Sequence, residues 1–169
     1  MHARIRRIRN RRRLARLLQR FTGDERGIQL VEVSIVIPLF LMLFAATAEF
    51  GRYYYEYTTL AKAARGGARY LSATFKGTGD SAAANIVVYG NTGGSGTPIL
   101  SGLSTSQVNI SYSGGSAAIP ETVTVSIQGY THQPVFNLGA LAKITGLNMA
   151  VDVKPSVTMR YLITQPPPG

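Results

Sequence analysis

The chain has little with which to do covalent chemistry. Its 169 residues contain no Cys and only two His, His2 and His132. That excludes a thiolate nucleophile, Fe–S ligation and Cys-based zinc sites, and leaves too few imidazoles for a His-based metal site or a catalytic triad. Past the first 75 residues the acids are Asp80, Glu121 and Asp152. They are too widely spaced to read as a catalytic pair, and read instead as solvated loop or strand-end charges. His132 precedes Gln133-Pro134 and reads as a turn residue. No nucleophile elbow, P-loop, HExxH or dinucleotide fingerprint is present. The glycines of Gly90–Gly96 precede no strong helix, so they do not form a phosphate cradle. The expected activity is binding or assembly, with no cofactor and no metal.

One acid stands apart. Val33 to Ala48 is a run of 16 uncharged residues, and extending it back to Ile28 gives 21 residues. At about 1.5 Å per helical residue this is roughly 31 Å, enough for a bilayer core of about 30 Å. The extension places Glu32 about one turn inside the apolar region. A carboxylate at that depth costs on the order of 2.5 kcal/mol or more, so it is expected to be paired, protonated or functional; a snorkelling side chain at headgroup level is the alternative. Pro38 lies within the run and removes the hydrogen bond to the Ser34 carbonyl, predicting a bend. Membrane helices accommodate such prolines more readily than soluble ones do.

The formal charge of +10 is unevenly placed. Residues 1–26 hold ten Arg against Asp24 and Glu25, a net +8, and the rest of the chain carries only +2. A basic head before an apolar run keeps the N-terminus in the cytoplasm and sends the near-neutral remainder across the membrane. No aromatic residue is interleaved among the arginines, which argues against a nucleic-acid site. Tyr53, Tyr54, Tyr55 and Tyr57 then fit an aromatic belt at the outer interface, or a tyrosine-rich packing surface.

The helical pattern continues past the run. Leu60, Ala61, Ala64, Ala68 and Leu71 recur at three- and four-residue spacing. Ala64 and Ala68 form a small-xxx-small pair suited to close packing, whereas Gly66-Gly67 weakens the helix by about 1 kcal/mol per Gly. One helix from about Ile28 to Ser72 is expected, flexing at Pro38 and Gly66. Beyond Phe75, turn signals separate alternating runs: Gln107–Ser113, Thr122–Gln128, and Val151–Ile163 divided by Pro155. Ile86–Tyr89 reads as a weaker strand and Val135–Ile144 as a short helix or packed loop. The sum is a small antiparallel sheet of three to five strands.

Residues 26–72 carry an ordered set of features: Arg26-Gly27 before the span, Val31-Glu32 entering it, Pro38 within it, Glu49-Phe50-Gly51-Arg52 after it, and then Ala64-Arg65-Gly66-Gly67-Ala68-Arg69. This set resembles the N-terminal region of TadE-like pseudopilins, minor components of tight-adherence (Flp-type, type IVb) pilus systems. The resemblance implies an α+β, pilin-like chain: a cytoplasmic leader (1–27), a long helix (28–75) with its transmembrane part at 28–50, an exported β-rich domain (76–164) and a Pro-rich tail (165–169). It implies an inner-membrane protein with a cytoplasmic N-terminus, cut by a prepilin peptidase between Gly27 and Ile28. Its implied partners are other pseudopilins, the major Flp pilin and the membrane assembly platform. Glu32 falls five positions into the mature chain, and Val33 stands where major Flp pilins usually carry Tyr, which favours a minor pilin or pseudopilin. Cleavage would create an ammonium at Ile28 one turn from Glu32, so Glu32 is the expected assembly residue. The rival reading is a secreted or signal-anchored binding module, cut after Ala46-Thr47-Ala48 or left uncut.

Overall fold

A computed structural model describes residues 25–136, Gly139 and 150–165. The Arg-rich leader before Glu25, most of the 135–144 segment and the last four residues lie outside the described residues. The first described element, α1, runs without a break from Glu25 to Ser72, passing through Pro38 and both glycines of Gly66-Gly67. The chain divides at Ala45 into two compact units.

In the first unit the large apolar side chains of α1 are bare. Ile35 is 68% exposed, Phe40 66% and Phe44 74%. Glu32 is likewise exposed, with no ion-pair partner among the described residues. Water does not tolerate a contiguous apolar surface of this kind on a monomer.

The second unit begins at Ala46. Here one stripe of α1 is buried at helical spacing: Leu60, Ala64, Ala68 and Leu71 are fully enclosed. A second helix, α2 (Asp80–Tyr89), packs on it through Ala83, Val87 and Val88. This segment includes the run Ile86–Tyr89 expected as a strand. Asp80 in the first turn, three consecutive alanines and a left-handed Gly90 cap (φ 74°) favour the helix over the β-branched content of Ile86-Val87-Val88. Gly67 has a positive role at this contact. A Cβ there would lie 2.7 Å from Val87 Cγ2 and 3.3 Å from the Ala83 carbonyl oxygen, so the helix-weakening glycine is what lets α2 approach.

The strands are β1 (Val108–Ser113), β2 (Thr122–Ile127), β3 (Tyr130–Thr131), β4 (Asp152–Val153) and β5 (Ser156–Arg160). A short 3₁₀ turn, Thr105–Gln107, leads into β1. β1, β2 and β5 form an antiparallel sheet with β2 central. Alternation along β2 buries Val123, Val125 and Ile127 in the core with the α1 stripe, and leaves Thr122, Thr124 and Ser126 on the opposite face. β3 and β4 form a separate antiparallel pair, and Pro155 separates β4 from β5 as its position in the sequence suggests. The C-terminal end of α1 is tied to the end of the chain: Leu162 N–H donates to the Ser72 carbonyl at 2.9 Å, and the Tyr161 hydroxyl donates to the Thr74 carbonyl at 2.6 Å. The α+β arrangement, a long N-terminal apolar helix followed by a small antiparallel sheet, is the one expected.

Candidate functional site

The buried stripe of α1 does not end at Leu60. Continued toward the apolar run at the same spacing it passes through Glu56, Tyr53 and Glu49. Glu49 is completely buried and Glu56 is 9% exposed. Two carboxylates on one buried helix face require compensating donors.

The main donor is His132. After β2 the chain turns at Gly129 (φ 75°), a left-handed position suited to glycine, and enters β3. There Tyr130 and Thr131 pair with Val153 and Asp152. The ladder extends one step, with His132 N–H donating to the Val151 carbonyl at 2.9 Å. This registers the imidazole, itself 1% exposed, against α1. Its Nδ1 lies 2.8 Å from Glu56 Oε2 and its Nε2 3.2 Å from Glu49 Oε2. Ionised carboxylates only accept, so the ring that satisfies both contacts at once is the imidazolium, donating from both nitrogens. Tyr53 packs edge-on against the ring, with centroids 5.8 Å apart at 86°.

The other oxygen of Glu49 holds a loop. Oε1 accepts the Val135 N–H at 2.7 Å and the Phe136 N–H at 2.8 Å. Arg52, with its side chain 44% exposed, lies 3.7 Å from Glu49 and 3.8 Å from Glu56. Burial alone pushes the Glu49 carboxyl up and is the largest single influence. The Phe136 and Val135 amides, His132 and the Arg52 charge together outweigh it and hold the group below its ordinary value. With the imidazolium form, two carboxylates face two cations and the cluster is neutral. Every buried side-chain polar atom among the described residues has a partner. Burial, reinforced by the Glu56 charge, pushes the neighbouring Tyr130 phenol up.

Beside this cluster lies an open cavity of about 570 Å³, lined by Arg52, Tyr55, Glu56, Ser101, Tyr130 and Gln133 among others. It presents no activated nucleophile: both imidazole nitrogens are engaged by carboxylates. No group of His, Asp and Glu among the described residues is arranged to hold a metal. The arrangement can fix a loop to a helix.

His132 is therefore not a turn residue. The residue types around it hid the two carboxylates that enclose it. Asp80 also departs from a purely solvated reading: it accepts the Tyr112 hydroxyl at 2.7 Å and joins α2 to β1. Asp152 is exposed, bonded to Thr131 at 2.9 Å and to Lys154 at 3.0 Å, and Glu121 is exposed. Of the residues singled out on the apolar run, Gly27 and Ile28 lie in the first turn of α1, Glu32 one turn further on, and Pro38 in its interior. None of them is near the buried cluster in sequence.

Glu49 and Arg52 belong to the Glu-Phe-Gly-Arg motif, and the motif sits in a longer recognisable segment. Residues 27–69 match the TadE-like protein family. The match covers about a quarter of the chain, begins at Gly27 and takes in Glu32, Pro38, Glu49, Arg52, Glu56 and Gly67. TadE-like proteins are a pilus-associated structural family, not an enzyme family. No curated protein and no solved structure matches the chain. The TadE-like segment holds the one helix among the described residues long and apolar enough to cross a membrane, and its bare side chains distinguish it from a buried core helix. Both features suggest a membrane-anchored, single-pass protein associated with a Tad pilus.

Proposed function

We propose that this chain is a pseudopilin-type minor component of a tight-adherence pilus. It is held in the inner membrane by α1 with its N-terminus in the cytoplasm, cut between Gly27 and Ile28 by a prepilin peptidase, and assembled with other pseudopilins, the major Flp pilin and the assembly platform. It works by binding, not catalysis. The domains follow as a leader (1–27), a helix whose span reaches Ala48, and an exported body closed by residues near 164.

The observation that carries this reading is Glu32. It is exposed, the one charged residue between Ile28 and Ala48, five positions after the residue at which the family match begins. Left alone in lipid it is costly. Cleavage after Gly27 supplies an ammonium at Ile28, four residues away. Opposite charges at about 4 Å interact more strongly there than in water, either within one chain or with a neighbour's terminus. The latter also sets subunit register.

The test is Glu32→Gln in the full chain. Co-purification with the other pilus components and surface piliation should fall sharply, while membrane insertion is kept. Wild-type piliation and co-purification with Glu32→Gln would refute the assembly role.

A further inference from the structure

The three-stranded sheet has two open edges, and its hydrogen bonds show which backbone groups face them. Gln128 N–H donates to the Gln107 carbonyl, and this pair continues the β1–β2 register. Antiparallel ladders bond at every second pair, so Asn109, Ser111 and Ser113 direct their backbone groups to β2. Those of Ile110 and Tyr112 point away from the sheet, and no hydrogen bond reaches them among the described residues. On the other side, the bonds from Ile127 N–H to the Pro155 carbonyl and from Tyr161 N–H to the Glu121 carbonyl turn Ser156, Thr158 and Arg160 of β5 outward. The two edges are not equivalent. The β5 edge follows Pro155 and carries Arg160, features that discourage pairing with another chain. β1 has no Pro, no charge and no bulge in its six consecutive pairs.

The β1 edge also has a wall. An open cavity of about 400 Å³ lies between α2 and β1, lined by Ala84, Val108 and Ile110, with Asp80 and Asn85 among its polar residues. The side chains of Val108 and Ile110 lie on the core face of the sheet, so the cavity has an apolar floor. Asp80 accepts the Tyr112 hydroxyl through one oxygen, and no cation is within ion-pair distance of it among the described residues. One groove therefore combines a free N–H and C=O on Ile110, an apolar floor and a negative charge without a cation.

We propose that the groove between α2 and β1 takes an extended segment of a partner polypeptide, which adds to β1 as a fourth strand of the sheet. The segment's backbone bonds that of Ile110. An apolar side chain rests on Ala84, Val108 and Ile110, and a basic side chain two residues along meets Asp80 beside Tyr112. The intervening side chains lie next to Asn109 and Ser111 on the open face and are polar. A single strand fits this groove better than the sheet edge of a second copy, because α2 walls the cavity on its other side. The groove lies within the unit that begins at Ala46, so the inference is independent of how the apolar part of α1 is held.

The probe is the acetylated, amidated pentapeptide Lys-Thr-Val-Thr-Lys. It puts Val and both Lys on one face and reads alike in either direction, so a Lys meets Asp80 whichever way the strand runs. Amide exchange of Ile110 and Tyr112 is followed by nuclear magnetic resonance in the full chain, isotope-labelled at isoleucine and tyrosine nitrogen and held in detergent. Both amides should exchange freely in the chain alone, and slow about tenfold at about ten times the peptide's dissociation constant. The same peptide N-methylated at every amide should not slow them. Ala84→Leu should fill the groove and abolish the effect. Asp80→Asn, which keeps an acceptor for Tyr112, should weaken binding severalfold and serves if the larger side chain disturbs folding. No slowing at about 5 mM peptide, where even a millimolar Kd would show, would overturn the proposal, as would equal slowing by the methylated peptide. Amides already slow without peptide would overturn it too: slowing that grows with protein concentration assigns the edge to a second copy, and slowing at every concentration assigns it to the chain itself.

Discussion

Replacing His132 with leucine removes the centre of the buried cluster while roughly keeping its volume, so the packing against Tyr53 is changed little and the electrostatic effect dominates. Glu49 loses its contact at 3.2 Å and Glu56 its contact at 2.8 Å. What remains for the two carboxylates is Arg52 at 3.7 and 3.8 Å, a half-exposed guanidinium whose field is partly screened, and for Glu49 the two loop amides. Removing one partner from a buried charged pair costs about 3–5 kcal/mol. Against a total stability of about 5–15 kcal/mol, this is roughly a fifth or more. At about 2–4 °C per kcal/mol for a chain of this size, the melting temperature should fall by roughly 10 °C. The assay is thermal unfolding of the full chain in detergent, followed by near-ultraviolet circular dichroism of its nine tyrosines. Adding Glu49→Gln and Glu56→Gln to the leucine variant removes the stranded charges and should recover part of the loss. A leucine variant within about 1 kcal/mol of wild type, or a triple variant whose losses simply add, would refute the charge-pairing account of His132.

Acid should act through Glu49. Its carboxyl is held below the ordinary value of 4.5, so the unfolded chain binds the proton more tightly. The stability it contributes is therefore present above about pH 4.5 and lost as the pH falls through the folded value. Urea midpoints measured from pH 7 downward should drop in this acid range, and Glu49→Gln should lower the pH 7 midpoint and flatten the slope. The glycines of α1 should divide by environment. Gly67→Ala forces a methyl against Val87 and the Ala83 carbonyl and should destabilise by about 1–3 kcal/mol. Gly51→Ala meets nothing within 4 Å and should stabilise the helix by up to about 1 kcal/mol; thermal melts of the two variants separate the cases.

The fold was legible where a period was long. The apolar run, its continuation through Leu60 and Leu71 and the alternation of Thr122–Ile127 each announce an element, because burial on one face imposes that period. The short run Ile86–Tyr89 fits either period, and its helix is decided by what flanks it, the alanines before it and the Gly90 cap after it, together with the docking of Ala83 and Val87 against Gly67. The buried cluster escaped for a different reason. Glu49 stood out only as part of the Glu-Phe-Gly-Arg motif and Glu56 not at all, although both lie on the same stripe as Leu60 and Ala64. Extending that stripe would have placed two carboxylates in the core and required a cation, and His132 is the one imidazole outside the leader. That His132 meets both depends on the β3–β4 ladder, a two-residue pairing too short to read from sequence. Glu32 could be picked out because it is the one charged residue between Ile28 and Ala48.

The mature N-terminus tests the central claim most directly. Intact-mass and terminal-peptide mass spectrometry of the protein extracted from membranes should find Ile28 as the first residue, with the Arg-rich leader gone. A chain beginning at Glu49 and recovered in soluble form outside the cell, or one still carrying Met1, would contradict it.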